Sequence, residues 1–301
     1  MEGGGRVSHE IPRTQLALVS GSAGWGLAFP DDLHEPGVRV VERGLSFDTP
    51  WGRSDRWQVL EFDGSVTADG RPRRALNVFA HGWPLDAVDH SVHRTVFWVL
   101  GQAGVRKVIS DSTCGSLNRA LQPRDFVIAS DVLDLGQTPY STLPGRFAYA
   151  CRGAQMICPS LARTLEGMAR ELWPAAHRVY GPANGLVMAH TWGPRFETPA
   201  EARALQLLGA DAVTQSVAPE ATNAREIGAC FASASYVTNY VDGVVGEWGA
   251  LDRVYDELGA IAVRISLRAA ARAEMAGECG CGGYRTPRPP KYRTAAQSGP
   301  A

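Results

Sequence analysis

The sequence predicts an α/β fold: a mixed β-sheet flanked by helices, organised as a single domain over residues 15–276. Three observations carry this reading. Short apolar runs bounded by Gly, Pro, Ser or Asp alternate with segments of roughly 10 to 15 residues whose apolar positions recur at helical spacing. The chain has 301 residues and 45% hydrophobic content, enough for a sizeable core. No internal repeat or long linker divides it.

Taken in order, residues 1–14 read as a flexible arm. Gln15 to Val19 is an apolar strand running into the small-residue loop Ser20-Gly21-Ser22-Ala23-Gly24, whose backbone can approach an anion closely. Residues 38 to 62 alternate apolar and polar groups, as antiparallel strands do. Ala75 to Ala80 is a further strand, ending at His81-Gly82-Trp83-Pro84. Val92, Val96, Val99 and Leu100 mark a helix over 92–101. A strand over 105–109 is followed by a turn at Asp111-Ser112-Thr113-Cys114-Gly115-Ser116-Leu117. Phe126 to Leu135 reads as one strand, and 136–151 as a turn-rich surface loop.

Leu161, Leu165, Met168 and Leu172 share one face of a helix over 160–172. Strands are expected over 179–189, at Ala212-Val213 and over 229–238, and helices over 199–208, 220–228 and 250–276. From Gly277 the composition turns to Gly, Pro and Arg with almost no aliphatic residues, so 277–301 is expected to be a disordered tail. Cys279-Gly280-Cys281 in that tail offers two metal ligands, which do not make a zinc site, and no metal is expected.

The balance of 30 basic against 31 acidic residues excludes a strongly charged polymer as partner: no nucleic acid and no anionic membrane surface. The first residues lack an apolar h-region, and no run reaches the ~18 uninterrupted apolar residues of a membrane span. A soluble, cytoplasmic protein acting on a small molecule is therefore expected. Six cysteines are too sparse for a disulfide scaffold.

Chemistry concentrates between Gly193 and Asp242. Phe196 and Glu197 follow an apolar run and precede a helix; they suit either a ring stacked on a planar ligand beside an accepting carboxylate, or a core Phe with a Glu favoured by the helix dipole. Asn239, at the end of another strand, adds an amide that both donates and accepts. A stacking ring with two polar edges is what recognition of a heterocyclic base requires. Cys114 and His81 could pair as nucleophile and base, but no spacing names an orienting partner, and a buried structural thiol fits better.

The segments GPRFETPAEARALQLLGADAV, QSVAPEATNAREIGACFAS and VTNYVDG resemble the trimeric purine nucleoside phosphorylase and methylthioadenosine phosphorylase family. Weaker matches (SGSAG, FAHGWP, STCGSLNRALQPRDFVI and ALDRVYDEL) fall in the same order, so the resemblance covers residues 15 to 270. It implies a nucleoside phosphorylase-like, partly barrel-like sheet, a homotrimer, and phosphate as co-substrate with no other cofactor. It further implies that Phe196 stacks on the purine, that Glu197 binds its N1 edge, and that Asn239 donates to N7 and reads the 6-substituent. Family members acting on 6-aminopurines carry Asp and Ser at the positions of Asn239 and Glu197, so this pair resembles the 6-oxopurine pattern.

On the sugar side the family's usual Met is replaced by Gln215. Leu251, Val254 and Tyr255 match positions lining an apolar 5′-substituent pocket, and equally read as ordinary helix packing. Ser22, Ser112, Thr113 and Ser216 match hydroxyl donors to phosphate, and His81 matches a His of that site. The Arg that the family places beside this His is missing, with Phe79-Ala80 in its place; Arg94 on the following helix is the candidate substitute. The missing Arg leaves open a hydrolase of the same fold, and a purine-binding homologue without catalysis stands beside both enzymes.

Overall fold

The computed structural model describes residues 8–80, 92–136, 149–193, 195–245, 251–277 and 279–289, the side chains of Leu251 and Asp252 excepted. In chain order the strands and helices are β1 (Leu16–Ser20), β2 (Val38–Thr49), β3 (Gly52–Phe62), β4 (Arg73–Phe79), α1 (Val92–Ala103), β5 (Lys107–Ser116), β6 (Phe126–Val127), β7 (Asp131–Asp134) and β8 (Tyr149–Cys151). Then come α2 (Pro159–Leu172), β9 (Val179–Tyr180), β10 (Val187–His190), α3 (Pro199–Leu207), β11 (Ala212–Thr214), α4 (Val217–Ile227), β12 (Cys230–Tyr240), α5 (Leu251–Arg272) and β13 (Arg285–Pro287).

Among the described residues the main sheet is mixed and follows the order β2-β3-β4-β1-β5-β11-β10-β7, with β12, β6 and β9 branching from β5. Strand β5 is the hub. One of its edges carries β12 along the whole length in parallel; the other carries β1 in parallel at its start and β11 antiparallel at its end. The sequence explains this centrality. Lys107-Val-Ile-Ser-Asp-Ser is buried throughout, as befits a strand covered on both faces and both edges.

The main core joins β1, β3, β4, β5 and β12 to the inner faces of α1, α2, α4 and α5. Val96, Val99 and Leu100 of α1, and Leu161 and Leu165 of α2, are fully buried as their helical spacing predicts. A smaller apolar cluster (Leu117, Ala202, Leu205, Val213, Val241) seats α3 on the far end of the sheet. No described helix is long and apolar enough to cross a membrane.

Several boundaries differ from the sequence reading, each for a physical reason. The turn expected at 111–117 is instead the second half of β5, because its polar side chains find partners across the sheet. The strand expected over 126–135 divides: β6 pairs with β12 and β9, whereas β7 joins β10. Helix α4 starts at Val217, upstream of the expected 220, since Pro219 lies in its first turn where no backbone N–H is needed.

Residues 8–14, expected within a loose arm, are tied to the body: the His9 amide donates to Ser46 O (2.9 Å) and Thr14 Oγ1 to Arg74 O (2.7 Å). The expectation of disorder from 277 fails for 279–289. There the chain makes a helical turn over Cys281–Tyr284 and then pairs β13 antiparallel with β8.

Helix α5 closes over the loop after β1. A Cβ at Gly259 would lie 2.6 Å from the Ala23 carbonyl oxygen, a backbone atom that cannot step aside. Ala is the better helix former by ~1 kcal/mol, so the close approach explains the glycine. Gly259→Ala is expected to destabilise the fold by about 1 kcal/mol or more, the lower range for overpacking, and urea unfolding measures this. Unchanged stability would mean that α5 does not lie this close.

Candidate active site

The site is built from two groups of residues on one face of β5. In the first, the end of β1 delivers Gly21 and Ser22 to the middle of β5. The Gly21 amide donates to Asp111 Oδ1 (2.9 Å), and Asp111 is itself 2% exposed. Ser22 Oγ lies 3.0 Å from Thr113 Oγ1 and accepts from the Thr113 amide (3.2 Å). Thr113 Oγ1 is also 3.0 Å from the Tyr255 hydroxyl on α5. Three predicted residues from distant parts of the chain thus form one line of hydroxyls, able to donate to an anion's oxygens.

Strand alternation decides between the two members of the Ser112-Thr113 pair. Thr113 faces Ser22; Ser112 points to the opposite face, fully buried, with its Oγ 2.7 Å from Ser235 Oγ. Ser112 is therefore not brought to the hydroxyl line. Val254 likewise packs into the main core, while its neighbour Tyr255 stands edge-on to Tyr236 with ring centroids 6.3 Å apart.

The second group lies two residues further along β5. A Cβ at Gly115 would fall 3.7 Å from Asn239 Nδ2 and 2.9 Å from Val241 Cγ2, so this glycine leaves room for both. Residues 113 and 115 share a face, which puts the Asn239 amide on the Thr113 side of the sheet. A register shift between Val237 and Asn239 re-aims this end of β12. The amide is oriented from both ends: Thr238 Oγ1 donates to Asn239 Oδ1 (2.8 Å), and Asn239 Nδ2 donates to Tyr240 O (2.9 Å). One amide hydrogen and one oxygen lone pair are left for a ligand.

Glu197 is buried, with Oε1 accepting from Thr191 Oγ1. Phe196 beside it is 55% exposed, an aromatic face presented outward. Their loop is fixed by the start of α3. Thr198 and Glu201 form a capping box, and Arg195 makes a two-pronged ion pair with Glu201 (2.6 and 2.7 Å). That guanidinium, together with the Thr198 amide, holds the Glu201 carboxyl down to about 2.

The turn after β11 packs on the same loop. Gln215 Nε2 donates to Arg195 O (3.2 Å), and a Cβ at Gly193 would strike Gln215 Oε1 at 2.3 Å. Ser216, at the N-cap of α4 and buried, lies 3.5 Å from Thr214 by its hydroxyl. At the end of β12, a Cβ at Gly243 would meet Pro199 Cβ at 2.8 Å, so the Asn239 strand and the Glu197 loop abut. The loop that carries Phe196 and Glu197 is thus packed against the Gln215 turn on one side and the segment following β12 on the other.

Among the remaining expectations, His81 and the side chain of Leu251 lie outside the described residues. Arg94 is half-buried in the first turn of α1. Cys114 fits a buried structural thiol: burial pushes it up to about 12, and it donates to Tyr236 O. The residues missed by sequence reasoning are those that orient others, namely Asp111, Thr191, Thr238 and Glu201. Only the T-x-x-E spacing of Thr198 and Glu201 was available as a sequence signal.

Comparison with known proteins gives a consistent picture. The profile of the "Phosphorylase superfamily" matches residues 78–272. A protein of Thermococcus kodakarensis named as a probable 6-oxopurine nucleoside phosphorylase is 31% identical over 78% of this chain and 81% of its own length. One of Methanothermobacter thermautotrophicus, named as a probable S-methyl-5′-thioinosine phosphorylase, is 32% identical over 72% of this chain and 71% of its own. Among solved structures, a methylthioadenosine phosphorylase from an antarctic soil metagenomic library superposes with a TM-score of 0.74. It covers 94% of this chain and 96% of its own at 21% identity, a likeness of fold.

Proposed function

The chain belongs to the phosphorylase superfamily, and from that premise we propose that it is a purine nucleoside phosphorylase. It would cleave the N-glycosidic bond of a 6-oxopurine nucleoside with phosphate, giving free base and pentose 1-phosphate. The observation that carries this reading is the doubly oriented Asn239 amide on the same face of β5 as the hydroxyl line of Ser22, Thr113 and Tyr255.

In such a reaction the glycosidic bond lengthens, positive charge gathers on the sugar and negative charge on the departing purine. Asn239 donates to the purine N7, where that charge develops. Glu197 accepts from the N1–H of a 6-oxopurine, and Phe196 covers the ring face. Ser22, Thr113 and Ser216 donate to the phosphate and hold it behind the anomeric carbon. Arg94 and His81 complete the anion's surroundings in this reading. Gln215 faces the ribose, and the Tyr255 side of α5 receives the 5′ position, which suits a modified 5′ group. The active form is a homotrimer, as the family resemblance implies.

Hydrolysis is the second reading, favoured by one observation: Phe79-Ala80, with Ala80 buried, stands where the family places an Arg. A panel of 6-oxo- and 6-aminopurine nucleosides, assayed with and without phosphate, separates the two. Phosphate is expected to be required and the 6-oxopurines preferred. Thr113→Val should raise the KM for phosphate roughly tenfold, the loss of a hydrogen bond of about 1.5 kcal/mol to a charged group. Turnover independent of phosphate, with water oxygen in the released sugar, would reject phosphorolysis.

A further inference from the structure

Four of the six cysteines meet far from the site just described. Cys158 is the N-cap residue of α2, Cys230 opens β12, and Cys279 and Cys281 come from the C-terminal segment. All four are free thiols, and their sulfurs lie within 4.8 Å of one another. We propose that these residues form a tetrathiolate site for a structural zinc ion, which fastens the C-terminal segment to the domain.

The chemistry of the donors selects the ion. Soft thiolates in a closed four-fold set suit zinc, with Zn–S bonds of about 2.3 Å and hence sulfur separations near ~3.8 Å in a tetrahedron. The cluster is already near that size, so small side-chain rotations would complete it. Each thiol loses its proton as the ion enters, four protons for one Zn²⁺, and the bound group carries a net charge of −2.

The surroundings provide for such a charge. Arg106, Arg225 and Arg285 line the crevice that Cys230 and Cys281 also border. Arg225 is buried and donates to the Gln155 carbonyl. Gln155 Nε2 in turn donates to Cys281 Sγ (3.3 Å) and to Cys279 O (2.9 Å), the kind of outer contact that orients thiolate ligands.

The segment also needs such a clasp. From 277 the chain is rich in Gly, Pro and Arg and has little apolar surface to bury, yet 279–289 folds back and pairs β13 with β8. Packing alone gives a weak account of this; ligation by residues from two core elements gives a strong one.

The test uses the full chain, produced with zinc in the medium and purified with reductant and without chelator. Elemental analysis should find about one zinc per chain. Cobalt(II) added to metal-stripped protein should give the absorption of a tetrahedral thiolate site, and chelation of the zinc should lower Tm by several degrees. Cys281→Ser should lose stoichiometric metal. Cys151→Ser, outside the cluster, should keep it, which guards against a general loss of folding. The proposal is overturned if the four thiols remain free and metal-free after titration with zinc or cobalt, or prove to be paired as disulfides. Stoichiometric iron in place of zinc would overturn it as well.

Discussion

Replacing Asn239 by Ala is expected to lower kcat/KM for 6-oxopurine nucleosides by about 10²- to 10³-fold, the usual loss when one pre-oriented donor is taken from developing negative charge. Most of the loss should fall on kcat. The purine N7 gains charge as the glycosidic bond breaks, so an N–H aimed at it is worth more in the transition state than in the bound nucleoside. The structure explains why this donor is ready beforehand. Thr238 and Tyr240 hold the amide at both ends, and Gly115 leaves it space. Asn239→Asp should lose 6-oxopurine activity similarly, because a carboxylate offers acceptors only. In the proposed mechanism Thr238 acts through Asn239 as a positioning residue, so Thr238→Val should reduce kcat with little change in KM, and Thr238→Ser should restore it. A kcat within a few-fold of the parent in Asn239→Ala would remove Asn239 from the chemistry.

Much of this was legible in the sequence wherever a pattern is local. The periodicities of Val96, Val99 and Leu100, and of Leu161 and Leu165, are sufficient for α1 and α2. The GPRFET, QSVAPE and VTNY segments are enough to carry the family resemblance, and they fall inside the match to the phosphorylase superfamily. What was not legible depends on contacts across the sheet. Asp-Ser-Thr-Cys-Gly-Ser looks like a turn until Asp111 meets Gly21 and Ser112 meets Ser235. The choice between Ser112 and Thr113 needs the strand's facing, which follows from the pairing of β5 with β1 and β12. The cysteine cluster was out of reach for the same reason. Cys279 and Cys281 announce two ligands, whereas Cys158 and Cys230 reach them only because α2 and β12 bring distant positions together. Composition also misjudged the end of the chain, since poor apolar content argues against a packed core but not against a segment held by polar groups and thiols.

Glu197→Ala should cost roughly 10- to 150-fold in kcat/KM for 6-oxopurine nucleosides, the equivalent of about 1.5–3 kcal/mol for a hydrogen bond to a charged group. The carboxylate is buried and one of its oxygens accepts from Thr191. In the proposed reading the second oxygen is the acceptor for a ligand, and a 6-oxopurine, with a proton on N1, is the base that would fit it. A 6-aminopurine presents a lone pair at N1 and meets the carboxylate without a hydrogen between them. Glu197→Gln supplies an N–H at the same place, and the expected result is a shift in the kcat/KM ratio toward 6-aminopurines. That shift is the decisive readout, because a Glu that merely supported the loop before α3 would lower both substrate classes alike. Arg195 and Glu201 already perform that supporting role through the ion pair and the capping box. If Glu197→Gln slowed 6-oxo- and 6-aminopurine nucleosides by the same factor, the assignment of Glu197 to the N1 edge would be wrong.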